Sequence, residues 1–361
     1  MSPERTFYPQ LSRRSRVGSF SPCSTISKSM QSVTGVHTFT LNNGQSFPSI
    51  GLGTWVFEGS GERDVLEQTV YDAISQGIRH IDTAWMYGVE GKVGSAIGRA
   101  VADGMVKRED LTIVTKIWVT NLKKDRLLSQ AKESRANLGI DQVDVLLLHW
   151  PVPMTDNGKG QMFPANENGS FLIDDTVDIY NETWKAMEQC VDEGITKSIG
   201  VSNFTSSQIE TLVAGARIKP VVNQVESNPL LPNEKIRAAC EKHGIVMTAY
   251  QPFGGSPRPQ ADGSFVETDS RKALFESPVV KAIADRCGKS IAQILLKFHV
   301  QRGLAVLFKS VTKSRIAENM DIFDFEMTEE EVASLNGMRT SQRICFFPQL
   351  AVSKYNPFAD D

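Results

Sequence analysis

Eight short apolar runs recur between Ser49 and Val311, each followed by a longer stretch with an amphipathic pattern. The runs are SIGLGTW, RHIDTA, LTIVTKIW, VDVLLLHWP, SIGVSNF, PVVNQVE, IVMTAYQP and LAVLFKSV. Runs this short, bounded by turn residues, suit buried strands, and the stretches between them suit helices with one apolar face. ERDVLEQTVYDAISQG (62–77) and TWKAMEQCVDEG (183–194) are two such stretches, the second closing on a glycine fitted to a helix C-terminus. Strand and helix alternating eight times predict an α/β fold, a parallel (β/α)8 TIM barrel, rather than two unrelated domains.

Ahead of the first run, HTFTLNNGQSFPSIG predicts a β-hairpin plug with its turn at Asn43-Gly44, a pair that tolerates positive φ. Two segments break the rhythm, 152–175 and 253 to about 276, and both follow predicted strands. They read as long loops at the C-terminal face, where barrels build their pockets. The tail after Thr340 is too apolar to stand idle in solvent. Residues 1–35 are rich in serine and arginine and carry one acid, Glu4. That composition predicts a disordered extension before a barrel spanning 36–361; a mitochondrial transit peptide shares it.

The 361 residues suffice for one large barrel, and 40% of them are apolar. A net charge of −3 gives no electrostatic reason to expect nucleic acid or an anionic membrane as partner. No apolar run approaches the roughly 20 residues that cross a bilayer. The five cysteines are scattered without a CxxC or Cys/His metal spacing, so free thiols in a reducing compartment are expected, with neither a disulfide framework nor a metal site.

The polar residues at the strand ends carry the functional signal. Asp82 ends the second run, Lys116 the third, His149 the fourth and Asn203 the fifth, while Gln224 and Tyr250 come late in the sixth and seventh. In a parallel barrel these ends converge on one mouth. Each has a structural explanation alone: Asp82 as a helix cap, His149 as a hydrogen-bonded core histidine, Lys116 as a snorkelling cation. Four at matched ends point instead to a site. The expectation is that Lys116, held by Asp82, makes the Tyr87 phenol acidic, and that His149 positions a carbonyl oxygen beside it.

Three segments carry a resemblance. GIRHIDTAWMYGVEGKVG (77–94), MEQCVDEGITKSIGVSNF (187–204) and LFKSVTKSRIAENMDI (307–322) are similar to the three signatures of the aldo-keto reductases, in order. The resemblance covers about residues 37–361. It implies a catalytic tetrad of Asp82, Tyr87, Lys116 and His149, with Tyr87 as proton donor. Histidine rather than glutamate at 149 implies reduction of carbonyls rather than of steroid double bonds.

No G-x-G-x-x-G follows a strand, CGKS at 287–290 lacks the first glycine of a P-loop, and no Y-x-x-x-K pair is present. The resemblance implies another cofactor cradle. Ser202, Asn203 and Gln224 would hold a nicotinamide carboxamide, Tyr250 would stack on its ring, and Thr54 and Trp55 would border it. Lys309, Ser310 and Arg315 would clasp a 2′-phosphate, and Glu318 and Asn319 would meet the adenine. Two cations on a phosphate predict NADPH over NADH.

Trp55, Trp118, Trp150 and Phe163 match the aromatic wall of the family's substrate pocket, which implies a hydrophobic aldehyde or ketone; core packing is the other explanation for Trp150. Val56, Gln251 and Phe308 depart from the family pattern, and PFGGSPRP lacks the aspartate that helps relatives fasten a loop over the pyrophosphate. The resemblance also implies a cytoplasmic monomer acting on a small molecule. Some relatives are channel β-subunits or lens proteins, so a cofactor-binding protein without turnover is the alternative.

Overall fold

The computed structural model describes residues 31–33, 36–57, 59–159, 161–259 and 265–360. The strands are β1 (Gln31–Val33), β2 (Val36–Thr40), β3 (Ser46–Pro48), β4 (Ile50–Gly53), β5 (His80–Asp82), β6 (Thr112–Ile117), β7 (Val143–Leu148), β8 (Thr196–Ser202), β9 (Val222–Glu226), β10 (Val246–Tyr250), β11 (Arg258–Pro259), β12 (Phe265–Val266) and β13 (Ala305–Phe308). Eight of them close a parallel barrel in the order β10-β13-β4-β5-β6-β7-β8-β9; seven lie within the apolar runs and β8 starts two residues ahead of its run, at Thr196. This is the expected (β/α)8 TIM barrel.

Burial along the helices explains why they form where they do. In Glu62–Ser75 the buried residues are Leu66, Thr69, Val70, Ala73 and Ile74, the spacing of a single helical face. Capping boxes at Thr205, Ser290 and Thr328 satisfy the first backbone N–H groups of three later helices. Gly194, at φ 66°, follows the helix Trp184–Asp192 as expected.

Two apolar layers hold the barrel. Outward side chains such as Ile81, Ile113, Leu146 and Ile199 pack under the helices. Inside, the hairpin β2–β3 plugs the N-terminal end with Phe39, Leu41 and Phe47 against Val114, Val145, Val222 and Val246. The interior is so tight that a Cβ on Gly51 would fall 2.7 Å from the His80 ring. The site lies at the opposite end of the barrel from this plug.

Two expectations are corrected. Gly44 alone has positive φ, 85°, and the turn spans Leu41–Gln45 rather than the two residues Asn43-Gly44. The segment after Phe253 holds the short hairpin β11–β12 and a helix, Asp269–Glu276, so it is a structured flap rather than a loop throughout. The proposed extension over 1–35 lies outside the described residues except at Gln31–Val33, which pair antiparallel with β2. The apolar tail does pack: Leu350 is fully buried and Phe358 nearly so. Among the described residues no helix is long and apolar enough to cross a membrane.

Candidate active site

Strand alternation places the site. In β5, Ile81 faces the helices while His80 and Asp82 face the barrel axis, and in β6 Lys116 shares the inward face of Val114. Parallel pairing of β5 with β6 brings the two charges together at the mouth. Lys116 Nζ donates to Asp82 Oδ1 at 2.7 Å and to the Thr83 carbonyl at 2.9 Å, with the lysine side chain fully buried. The second carboxylate oxygen of Asp82 accepts from Gln224 Nε2 at 2.7 Å. Burial pulls the Lys116 ammonium below its usual range and the Asp82 charge opposes that pull.

Tyr87 ends a 3₁₀ turn after β5, closed by Gly88 at φ 62°. Lys116 Nζ lies 5.2 Å from the centroid of its ring. Trp55 and His149 meet the ring edge-on at 5.0 and 5.7 Å. All four tetrad residues are therefore assembled. Their electrostatics correct the expectation of an acidified phenol: burial first, then the charges of Asp82 and Cys345, push Tyr87 well above 10. Desolvation is the largest cause, and the negative charge of Asp82 adds to it. Burial and the Lys116 charge likewise push His149 well below 6.5, leaving a neutral imidazole whose Nδ1 has no hydrogen-bond partner among the described residues.

Beside the tetrad, Asn203 takes a positive φ of 62° to turn its amide into the mouth. Its Nδ2 donates to the His149 carbonyl at 2.8 Å and to Ser202 Oγ at 3.1 Å, and its Oδ1 accepts from the Tyr250 hydroxyl at 2.8 Å. Ser202 Oγ donates to the Gln224 carbonyl at 2.8 Å, and Thr54 Oγ1 to the Asp82 carbonyl at 3.0 Å. The expected carboxamide cradle is thus gathered in one place, with most of its donors engaged on one another.

Two cavities meet over these residues. One, about 570 Å³, is lined by Asp82, Tyr87 and His149, by Thr54, Trp55, Ser202, Asn203, Gln224 and Tyr250, and by Trp118, Trp150 and Phe163. The other, about 610 Å³, is lined by Lys309, Ser310, Arg315, Glu318 and Asn319. Phe57, Phe253, Gly255, Ser256 and Lys309 border both, so they form one continuous groove. Its donor set fits a dinucleotide phosphate: two cations and a hydroxyl at one end, an aromatic ring and amides at the other. Trp118 donates from Nε1 to the Met162 carbonyl at 2.7 Å, and its ring lies 5.2 Å from that of Phe163 at a tilt of 56°. Trp150 packs on Phe347 and Phe358 yet also borders the cavity, so both explanations for it hold.

Sequence reasoning missed three contributors. Glu226, fully buried, accepts from the N–H groups of Ile344 and Cys345 at 2.8 Å each, tying the C-terminal tail to the mouth. Its period-two spacing from Gln224 was the available signal. Phe347 reaches the pocket from the tail, and Glu62 pairs with Lys309; neither had a local sequence signal.

Comparisons with known proteins agree with this geometry. Residues 49–339 match the model of the Aldo/keto reductase family. Prostaglandin F synthase 2 of Bos taurus is 39% identical over 89% of this chain and 97% of its own. Aldo-keto reductase family 1 member A1 of Gallus gallus is 37% identical over 88% of this chain and 93% of its own. A Bombyx mori aldo-keto reductase solved in complex with NADP superposes with a TM-score of 0.75 at 36% identity, covering 89% of this chain and 98% of that one. The chain belongs to the aldo-keto reductase family, and with it to the NADP-dependent oxidoreductases that reduce carbonyl groups.

Proposed function

We propose that this protein reduces hydrophobic aldehydes or ketones to alcohols with NADPH, with Tyr87 delivering the proton. The observation that carries the reading is the buried Lys116–Asp82 pair beside the Tyr87 ring at the mouth of the groove. NADPH, when bound, supplies a hydride to the carbonyl carbon. Lys309, Ser310 and Arg315 hold its phosphate end, Ser202, Asn203 and Gln224 its carboxamide, and Tyr250 its ring, with Thr54 and Trp55 alongside and Glu318 and Asn319 toward the adenine.

His149, neutral at physiological pH, hydrogen-bonds the substrate carbonyl oxygen and sets its direction toward the Tyr87 hydroxyl. The raised pKa of Tyr87 keeps that hydroxyl protonated until it is needed. The developing alkoxide is a far stronger base than a phenolate, so the proton moves to it readily. The Lys116 ammonium, 5.2 Å from the ring centroid, is the cation placed to face the phenolate left behind.

Trp55, Trp118, Trp150 and Phe163 supply the apolar wall that selects a hydrophobic carbonyl. The tetrad and the aromatic wall are complete within a single chain, so the chemistry asks for no residue of a second copy. Cys190 and Cys240 are buried thiols, which suits the reducing cytoplasm we assign to the protein. The test is NADPH oxidation followed at 340 nm with a panel of aliphatic, aromatic and polar carbonyls. Turnover that rises with substrate hydrophobicity supports the reading; tight NADPH binding without turnover on any of them rejects it in favour of a non-catalytic relative.

A further inference from the structure

Lys309 does not face the groove as an unengaged cation. Its ammonium forms an ion pair with Glu62, the first residue of the helix Glu62–Ser75, and the two side chains are only 23% and 21% exposed. Parallel pairing of β13 with β4 sets the segments that follow those strands side by side, which explains the contact. Both residues line the cavity that Ser310 and Arg315 also line. The Glu62 backbone N–H donates to Ser60 Oγ at 3.3 Å, and Ser60 Oγ donates to the Phe57 carbonyl at 2.7 Å, so the turn that presents the carboxylate is itself tied down.

Among the described residues, the stretch of the flap that borders this cavity supplies no competing acid. QPFGGSPRP (251–259) contains neither aspartate nor glutamate, and Glu267 pairs with Arg271 at 3.2 Å.

We propose that Glu62 is a specificity-determining residue of the phosphate site, a built-in counter-ion that weakens NADPH binding and narrows its preference over NADH. This rests on the NADPH reading above. A phosphate that reaches Lys309 must share the ammonium with the Glu62 carboxylate and meets a like charge at close range. That repulsion grows with the charge on the ligand at this point. It therefore falls mainly on the nucleotide that carries a 2′-phosphate.

The test is a titration of the full-length protein and its Glu62→Gln variant with NADPH and with NADH, read as quenching of tryptophan fluorescence. The glutamine keeps shape and volume, and a thermal melt checks the fold. The expected result is a Kd for NADPH that falls roughly three- to tenfold, while that for NADH changes by no more than about twofold. The gain should vanish when the same substitution is made in a Lys309→Met background. An unchanged or raised Kd for NADPH, an equal tightening of NADH, or a gain that persists without Lys309 would each overturn the proposal. If the wild-type protein binds neither nucleotide, the NADPH reading itself fails; if it binds NADPH tightly and Glu62→Gln makes no difference, only the counter-ion role fails.

Discussion

Replacing Asp82 by asparagine isolates the element on which the site is built. The carboxylate meets a fully buried ammonium at 2.7 Å and also accepts from Gln224, so its loss strands a charge in the interior. Breaking a buried pair from one side costs about 3–5 kcal/mol. An independent bound comes from proton chemistry. The stranded Lys116 can escape by losing its proton, and at pH 7 that costs about 1.4 kcal/mol for each unit below a free value near 10.4, or roughly 4.6 kcal/mol.

The two figures agree, and a shift of roughly 2 °C per kcal/mol places the variant about 6–10 °C below wild type. The sign of the pH dependence follows. The Lys116 pKa is depressed in the folded state and falls further without Asp82, so the unfolded chain binds more protons and stability rises with pH. The deficit should therefore be fully present near neutrality and shrink as pH climbs toward the unfolded lysine value. Melting curves of both proteins between pH 7 and about pH 9.5 measure it. A variant that melts within about 1 °C of wild type at every pH would show that Asp82 does not keep Lys116 charged.

Two other outcomes are expected. Lys309→Ala combined with Arg315→Ala should raise the Kd for NADPH by about 100-fold or more and that for NADH far less, as charge-assisted bonds to the 2′-phosphate are lost; equal losses in a calorimetric titration would count against the clamp. Because His149 sits well below 6.5 and Tyr87 well above 10, neither changes protonation near neutrality, so kcat for reduction should stay level between about pH 6.5 and pH 8.5. A sigmoid centred inside that window would mean that one of these two groups titrates in a different environment.

What the sequence disclosed follows from range. The barrel was legible because each run from SIGLGTW to LAVLFKSV is a local pattern repeated eight times, and repetition leaves few folds that bury all of it. The tetrad was legible because barrel topology turns a position late in a strand into a position at the mouth, so Asp82, Lys116 and His149 needed no knowledge of distance. The acidity of Tyr87 was not legible. Its sign depends on burial, and on the charge of the Asp82 carboxylate that also holds Lys116 at 2.7 Å.

Nor could local pattern reveal that Glu226 grips the backbone at Ile344 and Cys345, 118 and 119 positions later. Glu62 escaped for the same reason, since its partner Lys309 lies beyond the whole of the barrel sequence. The turn at Asn43-Gly44 failed differently: a motif that suits a two-residue hairpin was overridden by a five-residue loop, Leu41–Gln45, and only Gly44 needed the positive φ.

Tyr87→Phe tests the central claim most directly. The change removes one oxygen from a ring held between Trp55 and His149, so the pocket and the NADPH Kd should be preserved. With the proton donor gone, kcat for a good carbonyl substrate should fall at least 100-fold, about the smallest contribution expected of a general acid. A phenylalanine variant that kept most of its kcat would show that the proton comes from elsewhere.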